Sequence, residues 1–231
     1  MLHSSLSSPP TPTSNMQKKT GGTLALIYLT SYNTFQSLLW AYIIYLSITA
    51  YPQTPLWTTA SKPTLLAVGL SWIETLHAAT GLVKGTPSSA AVQAFGRTHA
   101  LLIPYTFTLA QQNEIGLLSL FLVWGISEII RYPWYTLTTL QICPYPLTWL
   151  RYSAFIILYP IGILSELSGY YAAWPQIQTF TGYDLVVHGF VVFRFKYWVV
   201  FGIIVLYPLA GPFLYFHMLK QRNKKLKSKI M

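Results

Sequence analysis

Charge is what this sequence has least of. Only 9% of its 231 residues are Asp, Glu, Lys or Arg, against about a quarter in soluble domains. So little charge cannot keep the surface of a 231-residue chain in water, which excludes an ordinary soluble globular protein. Acids are scarcer still, five in all against 15 Lys and Arg, for a formal net charge of +10. Cysteine is almost absent. Cys143 stands alone, which excludes an intrachain disulfide and a cysteine-based metal cluster. No internal repeat is visible in the sequence either, and many transporter folds are built from one.

What is present is a series of apolar runs. Hydrophobic residues make up 53% of the chain, and no Lys, Arg, Asp, Glu or His interrupts Thr23 to Ala50. Roughly 20 apolar residues suffice to cross the hydrocarbon core as a helix. The pattern predicts an all-α polytopic membrane protein, a bundle of six transmembrane helices near 24–48, 65–83, 91–110, 115–135, 150–173 and 197–219. Residues 1–22, rich in Ser, Pro and Thr and carrying Lys18-Lys19, cannot bury a core and are expected to form a disordered cytosolic segment. The first apolar run is too long for a signal peptide and reads as a retained anchor. The six-span domain would then occupy 23–219, and a basic cytosolic tail 220–231.

The positive charge does not point to nucleic acid, because the basic residues form no single face or stripe. They gather in short hydrophilic gaps and in the tail from Lys220 to Lys229, as cytoplasmic loops do. Lys18-Lys19, Lys84 with Arg97, Arg131 with Arg151, and the tail make one set. The gaps at 49–64 and 111–114 hold a single Lys62. Arg194 and Lys196 run against the pattern, but the totals place both termini in the cytosol, as six spans require. The chain ends Lys227-Ser228-Lys229-Ile230-Met231, with lysines third and fifth from the end in the dilysine form of an endoplasmic-reticulum retrieval signal. Attraction of the basic tail to anionic headgroups is the alternative reading of the same residues.

An ionisable side chain deep in a bilayer costs at least about 2.5 kcal/mol and is a functional candidate by default. Glu74, Glu128 and Glu166 all fall inside expected spans. Glu74 and His77 share a helix face, as do Glu128 and Arg131, and Gln93 and Arg97. Two readings stand for these residues: ties between helices, or side chains reaching for the interface. Arg97, Arg131 and Arg151 near the cytosolic edge add a third, since a planar guanidinium matches phosphate oxygens.

Glu166 differs. It stands fifteen positions after Arg151 with no charge between them, roughly 22 Å of helix. With no cation within two turns on its own helix, its carboxyl is expected to be protonated for part of the time, the condition a general acid or base needs. Tyr159 stands seven residues earlier. Seven residues turn a helix about 700°, so both side chains project from one face, roughly 10 Å apart. A direct hydrogen bond would need a bend, which Pro160 and Gly162 between them can supply.

The wording around this pair resembles a known family. Trp149-Leu150-Arg151-Tyr152-Ser153, Leu158-Tyr159-Pro160-Ile161-Gly162 and Ser165-Glu166 are similar to the very-long-chain 3-hydroxyacyl-CoA dehydratases. Tyr28-Leu29-Thr30-Ser31-Tyr32-Asn33, Glu74-Thr75-Leu76-His77 with Gly81-Leu82-Val83, and Trp124-Gly125-Ile126-Ser127-Glu128-Ile129-Ile130-Arg131-Tyr132 fit the same pattern. So does Tyr215-Phe216-His217-Met218 with Gln221-Arg222. The resemblance spans about residues 24–225 and implies six spans, both termini cytosolic, residence in the endoplasmic reticulum, and contacts with the condensing enzyme and reductases of fatty-acid elongation. It implies that Tyr159 and Glu166 are the catalytic pair. Gln93, Arg97, Glu74, Glu128, Arg131, Arg151 and Gly162 are then candidates for holding the CoA portion of a long-chain 3-hydroxyacyl-CoA or for supporting the site. The implied dehydration needs one proton acceptor and one donor, with neither a redox cofactor nor a metal. Either residue can fill either part; the isolation of Glu166 leans toward Tyr159 as base and Glu166 as acid.

Two rival functions follow from the same residues. Relatives of this family have carried a phosphatase-like label, but a phosphatase cysteine needs an Arg six residues on. Trp149 stands there, and Pro144 and Pro146 break the loop. A non-catalytic membrane scaffold or lipid-binding relative is the other, against which the intact Tyr159 and Glu166 argue.

Overall fold

The computed structural model describes residues 22–187 and 190–227. Residues 1–21 of the expected N-terminal segment lie outside the described residues, as do 228–231 with Lys229 of the dilysine pattern.

Asn113 and Glu114 begin the helix around which the others gather. Asn113 caps α5 (Glu114–Thr139), its Oδ1 accepting from the Gly116 N–H at 3.3 Å and so satisfying one of the donors a helix start leaves open. Glu114 sits in the first turn, where the helix dipole favours an acid. Its Oε2 also accepts from the N–H of Leu56 at 3.1 Å, at the first residue of α2 (Leu56–Ala79). One pair of residues thus starts α5 and ties down α2.

Helix α1 (Thr23–Ala50) packs along one side of α5 and α7 (Phe155–Thr179) along another. Helix α2 lies against α1 and against α3 (Pro87–Thr106). A one-turn α4 (Thr108–Gln111) leads from α3 toward α5, and α6 (Tyr145–Ser153) runs into α7 through a break at Ala154. A small antiparallel hairpin follows, β1 (Leu185–Val187) with β2 (Phe190–Phe193), Val187 facing Phe190. The chain ends in α8 (Phe195–Phe201), a π-helical stretch Gly202–Ala210, and α9 (Gly211–Lys227). Helix dominates, as expected; the hairpin sits in the gap before the last expected span.

Two apolar clusters hold the bundle. Trp40 and Ile43 of α1 interleave with Phe121 and Trp124 of α5, while Ile103 and Phe107 meet Tyr170, Ile177, Phe195 and Val199. Gly125 lets α1 and α5 come close: a Cβ there would lie 2.5 Å from Ile44 Cγ1, a small-residue contact of the kind that packs membrane helices.

Among the described residues, two helical segments are long and apolar enough to cross a membrane: Glu114–Thr139 and Tyr145–Thr179. The other four expected spans are helical but more polar or more broken. Helix α1 is uncharged, yet Ser, Thr, Asn, Gln and Tyr dilute its apolar residues. The last expected span is divided among α8, the π-helical stretch and α9. Large apolar side chains nonetheless lie exposed along the helices, among them Leu38, Ile157, Leu164 and Phe213.

Candidate active site

Five of the candidate residues converge from three helices. Arg131 on α5 extends its planar fork to Glu74 on α2, with both nitrogen–oxygen distances 2.9 Å. Its Nε donates to Glu128 Oε2 at 2.7 Å, and Nη1 also reaches Gln93 Oε1 of α3 at 3.3 Å. Tyr132 donates to Glu74 Oε1 at 2.6 Å. Arg97 on α3 donates to the other Glu128 oxygen. Glu128 is fully enclosed, and Arg131 only 7% exposed. Two arginines face two glutamates, so the cluster is formally neutral, the condition under which buried charge is tolerated. An open cleft of about 190 Å³ lies beside it, lined by Ser71, Glu74, Gln93, Arg97 and Arg131.

This arrangement gives Arg97 and Arg131 carboxylate partners inside the bundle and leaves both lining the cleft. Both turn inward, and the donors of Arg131 are occupied by carboxylates, an amide and a phenol. The Glu128–Arg131 pairing on one helix face is present. Glu74 and His77 do not pair: Glu74 goes to Arg131, whereas His77 Nε2 meets the Tyr28 hydroxyl at 2.8 Å. Gln93 likewise serves Arg131 rather than Arg97.

Glu166 lies on α7 at the edge of this cluster, and its own partners are uncharged. Trp124 Nε1 of α5 donates to Oε1 at 3.2 Å, and the Tyr207 hydroxyl to Oε2 at 2.5 Å. The Trp124 ring in turn carries the Arg97 guanidinium, 5.7 Å from its centroid. Glu166 lines a second cleft, of about 260 Å³, with Ala100, Pro104, Leu117, Leu120, Ser165 and Gly169. Among the other acids, Glu74 and Glu128 pair with arginine and Glu114 caps α2.

Tyr159 is half-buried on the same helix. Its hydroxyl donates to the Gly211 carbonyl at 3.1 Å, and its ring stacks on Tyr215 with centroids 6.0 Å apart. The two residues keep separate partners, as their spacing predicts. α7 continues through Pro160 without interruption. Gly162 is buried against α5, where a Cβ would meet Val123 Cγ1 at an ordinary 3.5 Å; its place is in helix packing. Arg151 stands outside the ionic cluster, its guanidinium over Trp134 and Tyr152 at 6.0 and 5.9 Å, and its Nε has no hydrogen-bond partner. Cys143 meets Thr148 Oγ1 at 3.5 Å, a contact without the arginine a phosphatase requires.

Sequence reasoning missed Tyr207, Tyr170 and His99. Tyr170 and His99 Nδ1 are hydrogen-bonded, and the Tyr170 ring meets Tyr207 edge-on at 5.8 Å. Tyr170 was within reach of sequence logic, being four residues beyond Glu166 on one face. His99 is an ionisable group in an apolar stretch, and the same default that singled out the acids applies to it. Nothing in the spacing pointed to Tyr207, because its partner lies 41 residues away.

Comparison with known proteins places the chain in a family. The family described as protein tyrosine phosphatase-like protein, PTPLA, matches residues 69–228. Very-long-chain (3R)-3-hydroxyacyl-CoA dehydratase 2 of Mus musculus is 33% identical over 218 residues, 91% of this chain and 85% of the relative. PASTICCINO 2, the Arabidopsis thaliana dehydratase, is 35% identical over 207 residues, 87% and 93% of the two chains. The Homo sapiens dehydratase 2 is 34% identical over 211 residues, 88% and 82%. No solved structure matches. The family match covers well over half of the chain, and the curated relatives cover most of it, so the chain belongs to the PTPLA family, that of the very-long-chain (3R)-3-hydroxyacyl-CoA dehydratases.

Proposed function

We propose that this chain is a carbon–oxygen lyase that dehydrates (3R)-3-hydroxyacyl-CoA to trans-2-enoyl-CoA in very-long-chain fatty-acid elongation, with Tyr159 and Glu166 as its catalytic pair. The observation that carries the residue assignment is the pairing of the acids. Glu74 and Glu128 are paired with arginine, while Glu166 lines a cleft with Trp124 and Tyr207 as its hydrogen-bond donors among the described residues.

The reaction is redox-neutral. The C2–H and C3–O bonds break, the C2=C3 bond forms, the C2 proton goes to a base, and the departing hydroxyl takes a proton from an acid to leave as water. A carbonyl can only accept, so Tyr159 carries its proton when bonded to Gly211. Both Glu166 oxygens accept. That geometry favours Glu166 as the C2 base and Tyr159 as donor to the leaving hydroxyl, the reverse of the leaning drawn from isolation alone.

The ionic cluster of Glu74, Gln93, Arg97, Glu128 and Arg131 supports the site by locking α2, α3 and α5. Arg151 keeps the part of CoA-phosphate ligand. The chain crosses the endoplasmic-reticulum membrane six times with both termini cytosolic, and the acyl tail runs among the helices toward membrane lipid. The condensing enzyme and reductases of elongation are its partners.

The test is detergent-purified protein incubated with a long-chain 3-hydroxyacyl-CoA and assayed for the enoyl product. Tyr159→Phe and Glu166→Gln each remove one proton-transfer partner with little change of shape. General acid–base groups contribute about 10²–10⁴-fold, so each variant should lose at least two decades of kcat while remaining folded. Groups acting as a unit are strongly non-additive, so the double variant should fall by much less than the product. Activity of Glu166→Gln within tenfold of wild type would remove Glu166 from the chemistry.

A further inference from the structure

We propose that Tyr207 is a positioning residue for Glu166, carried to it by the π-helical stretch Gly202–Ala210. This rests on the dehydratase reading and extends it to the last helical segment.

Glu166 is held from two sides by other elements. Trp124 of α5 donates to Oε1 at 3.2 Å, and Tyr207 to Oε2 at 2.5 Å. One donor on each oxygen, from helices on different sides, sets the plane of the carboxyl; a single donor would leave it free to turn about its last bond. A base that abstracts from carbon needs one lone pair aimed at C2, and misplacement by about 1 Å can cost about a hundredfold. Tyr207 touches no reacting atom in this arrangement. Its effect passes through Glu166.

The backbone explains why Tyr207 reaches so far. Pro208 follows it inside the helix. Proline lacks the N–H that an α-helix would direct at the Ile204 carbonyl, and its ring would strike that carbonyl. Widening to a π-helix relieves the conflict and turns the side chains away from their α positions, which is why single π turns recur at functional sites. The next residue after the stretch, Gly211, supplies the carbonyl that takes the Tyr159 hydroxyl. One irregular stretch and its cap therefore touch both members of the pair.

A buried tyrosine hydroxyl generally finds some partner, so the test must read more than folding. Full-length chain bearing Tyr207→Phe is compared with wild type on a long-chain 3-hydroxyacyl-CoA. Losing a hydrogen bond to a charged group predicts a fall in kcat of about 10–100-fold, with KM changed by less than about threefold because Tyr207 does not touch substrate. A second readout needs no turnover. Dicyclohexylcarbodiimide modifies protonated carboxyls in apolar surroundings, and the adduct at Glu166 is counted by peptide mass spectrometry. A hydroxyl donor favours the ionised carboxyl, so Tyr207→Phe should label several-fold faster than wild type. 3-Fluorotyrosine at position 207, which keeps the shape and strengthens the donor, should label more slowly, and it serves where Tyr207→Phe does not fold. Wild-type protein without turnover would sink the dehydratase reading, and the labelling rates would still judge Tyr207. Labelling equal in wild type, Tyr207→Phe and the fluorinated protein overturns the proposal, as does a Tyr207→Phe loss confined to KM.

Discussion

Glu128→Gln is the sharpest probe of the ionic cluster. The side chain has no exposed surface, one oxygen accepts from Arg97, and the other accepts from Arg131 Nε at 2.7 Å. Glu74 and Glu128 balance Arg97 and Arg131. The substitution keeps the volume and leaves one positive charge unmatched in the interior. Breaking a buried pair from one side costs about 3–5 kcal/mol. At about 2–4 °C per kcal/mol for a chain of this size, the midpoint of thermal unfolding should fall by roughly 6–20 °C. Tryptophan fluorescence of detergent-purified protein measures it. The double variant Glu128→Gln/Arg97→Gln restores neutrality and should lose less than the sum of the singles, with a coupling of about 0.5–3 kcal/mol. A Glu128→Gln protein that melts within about 2 °C of wild type, or a cycle that adds up, refutes the structural role. If Arg97 instead binds CoA phosphate, Arg97→Gln raises KM and leaves the melting point where it was.

Three further outcomes are expected. Gly125→Ala places a methyl 2.5 Å from Ile44 Cγ1 and should cost about 1–3 kcal/mol by overpacking, read as a lower melting temperature; an unchanged one means α1 and α5 are not in close contact there. Arg151→Ala should raise KM for the CoA thioester in protein that melts normally, and an unchanged kcat/KM returns Arg151 to the membrane interface. Tags at both ends should be cleaved by protease added outside sealed microsomes, and protection of either one breaks the six-span topology.

Local pattern carried the helices. The run from Thr23 to Ala50 and the long stretch ending at Thr179 are helical close to where composition places them. The Glu128–Arg131 pair follows from 3.6-residue periodicity. Partners across helices did not follow. Periodicity assigned Glu74 to His77 on its own helix, but bidentate geometry to Arg131, 57 residues away, satisfies the carboxylate better than an imidazole already bonded to Tyr28. Arg97 looked like a rim residue because its position along the helix is legible and its direction is not. The π-helical stretch had a visible cause in Pro208, but its consequence, the reach of Tyr207 to Glu166, depends on how the last segment docks on α7.

That docking separates two uses of buried polarity. Glu74 and Glu128 give their oxygens to arginine and so tie α2, α3 and α5 together. The same pairing would hinder a group that must accept a proton and release it each turnover. Glu166 is oriented by an indole and a phenol instead, donors that carry no charge of their own. Arg97 completes the division of labour. It spends a hydrogen bond on Glu128 and meets Glu166 only across the face of Trp124, so the cation stays out of direct contact. Under the proposed assignment of Glu166 as base, replacing Trp124 by a side chain short enough to let Arg97 through should give Glu166 a charged partner and lower kcat.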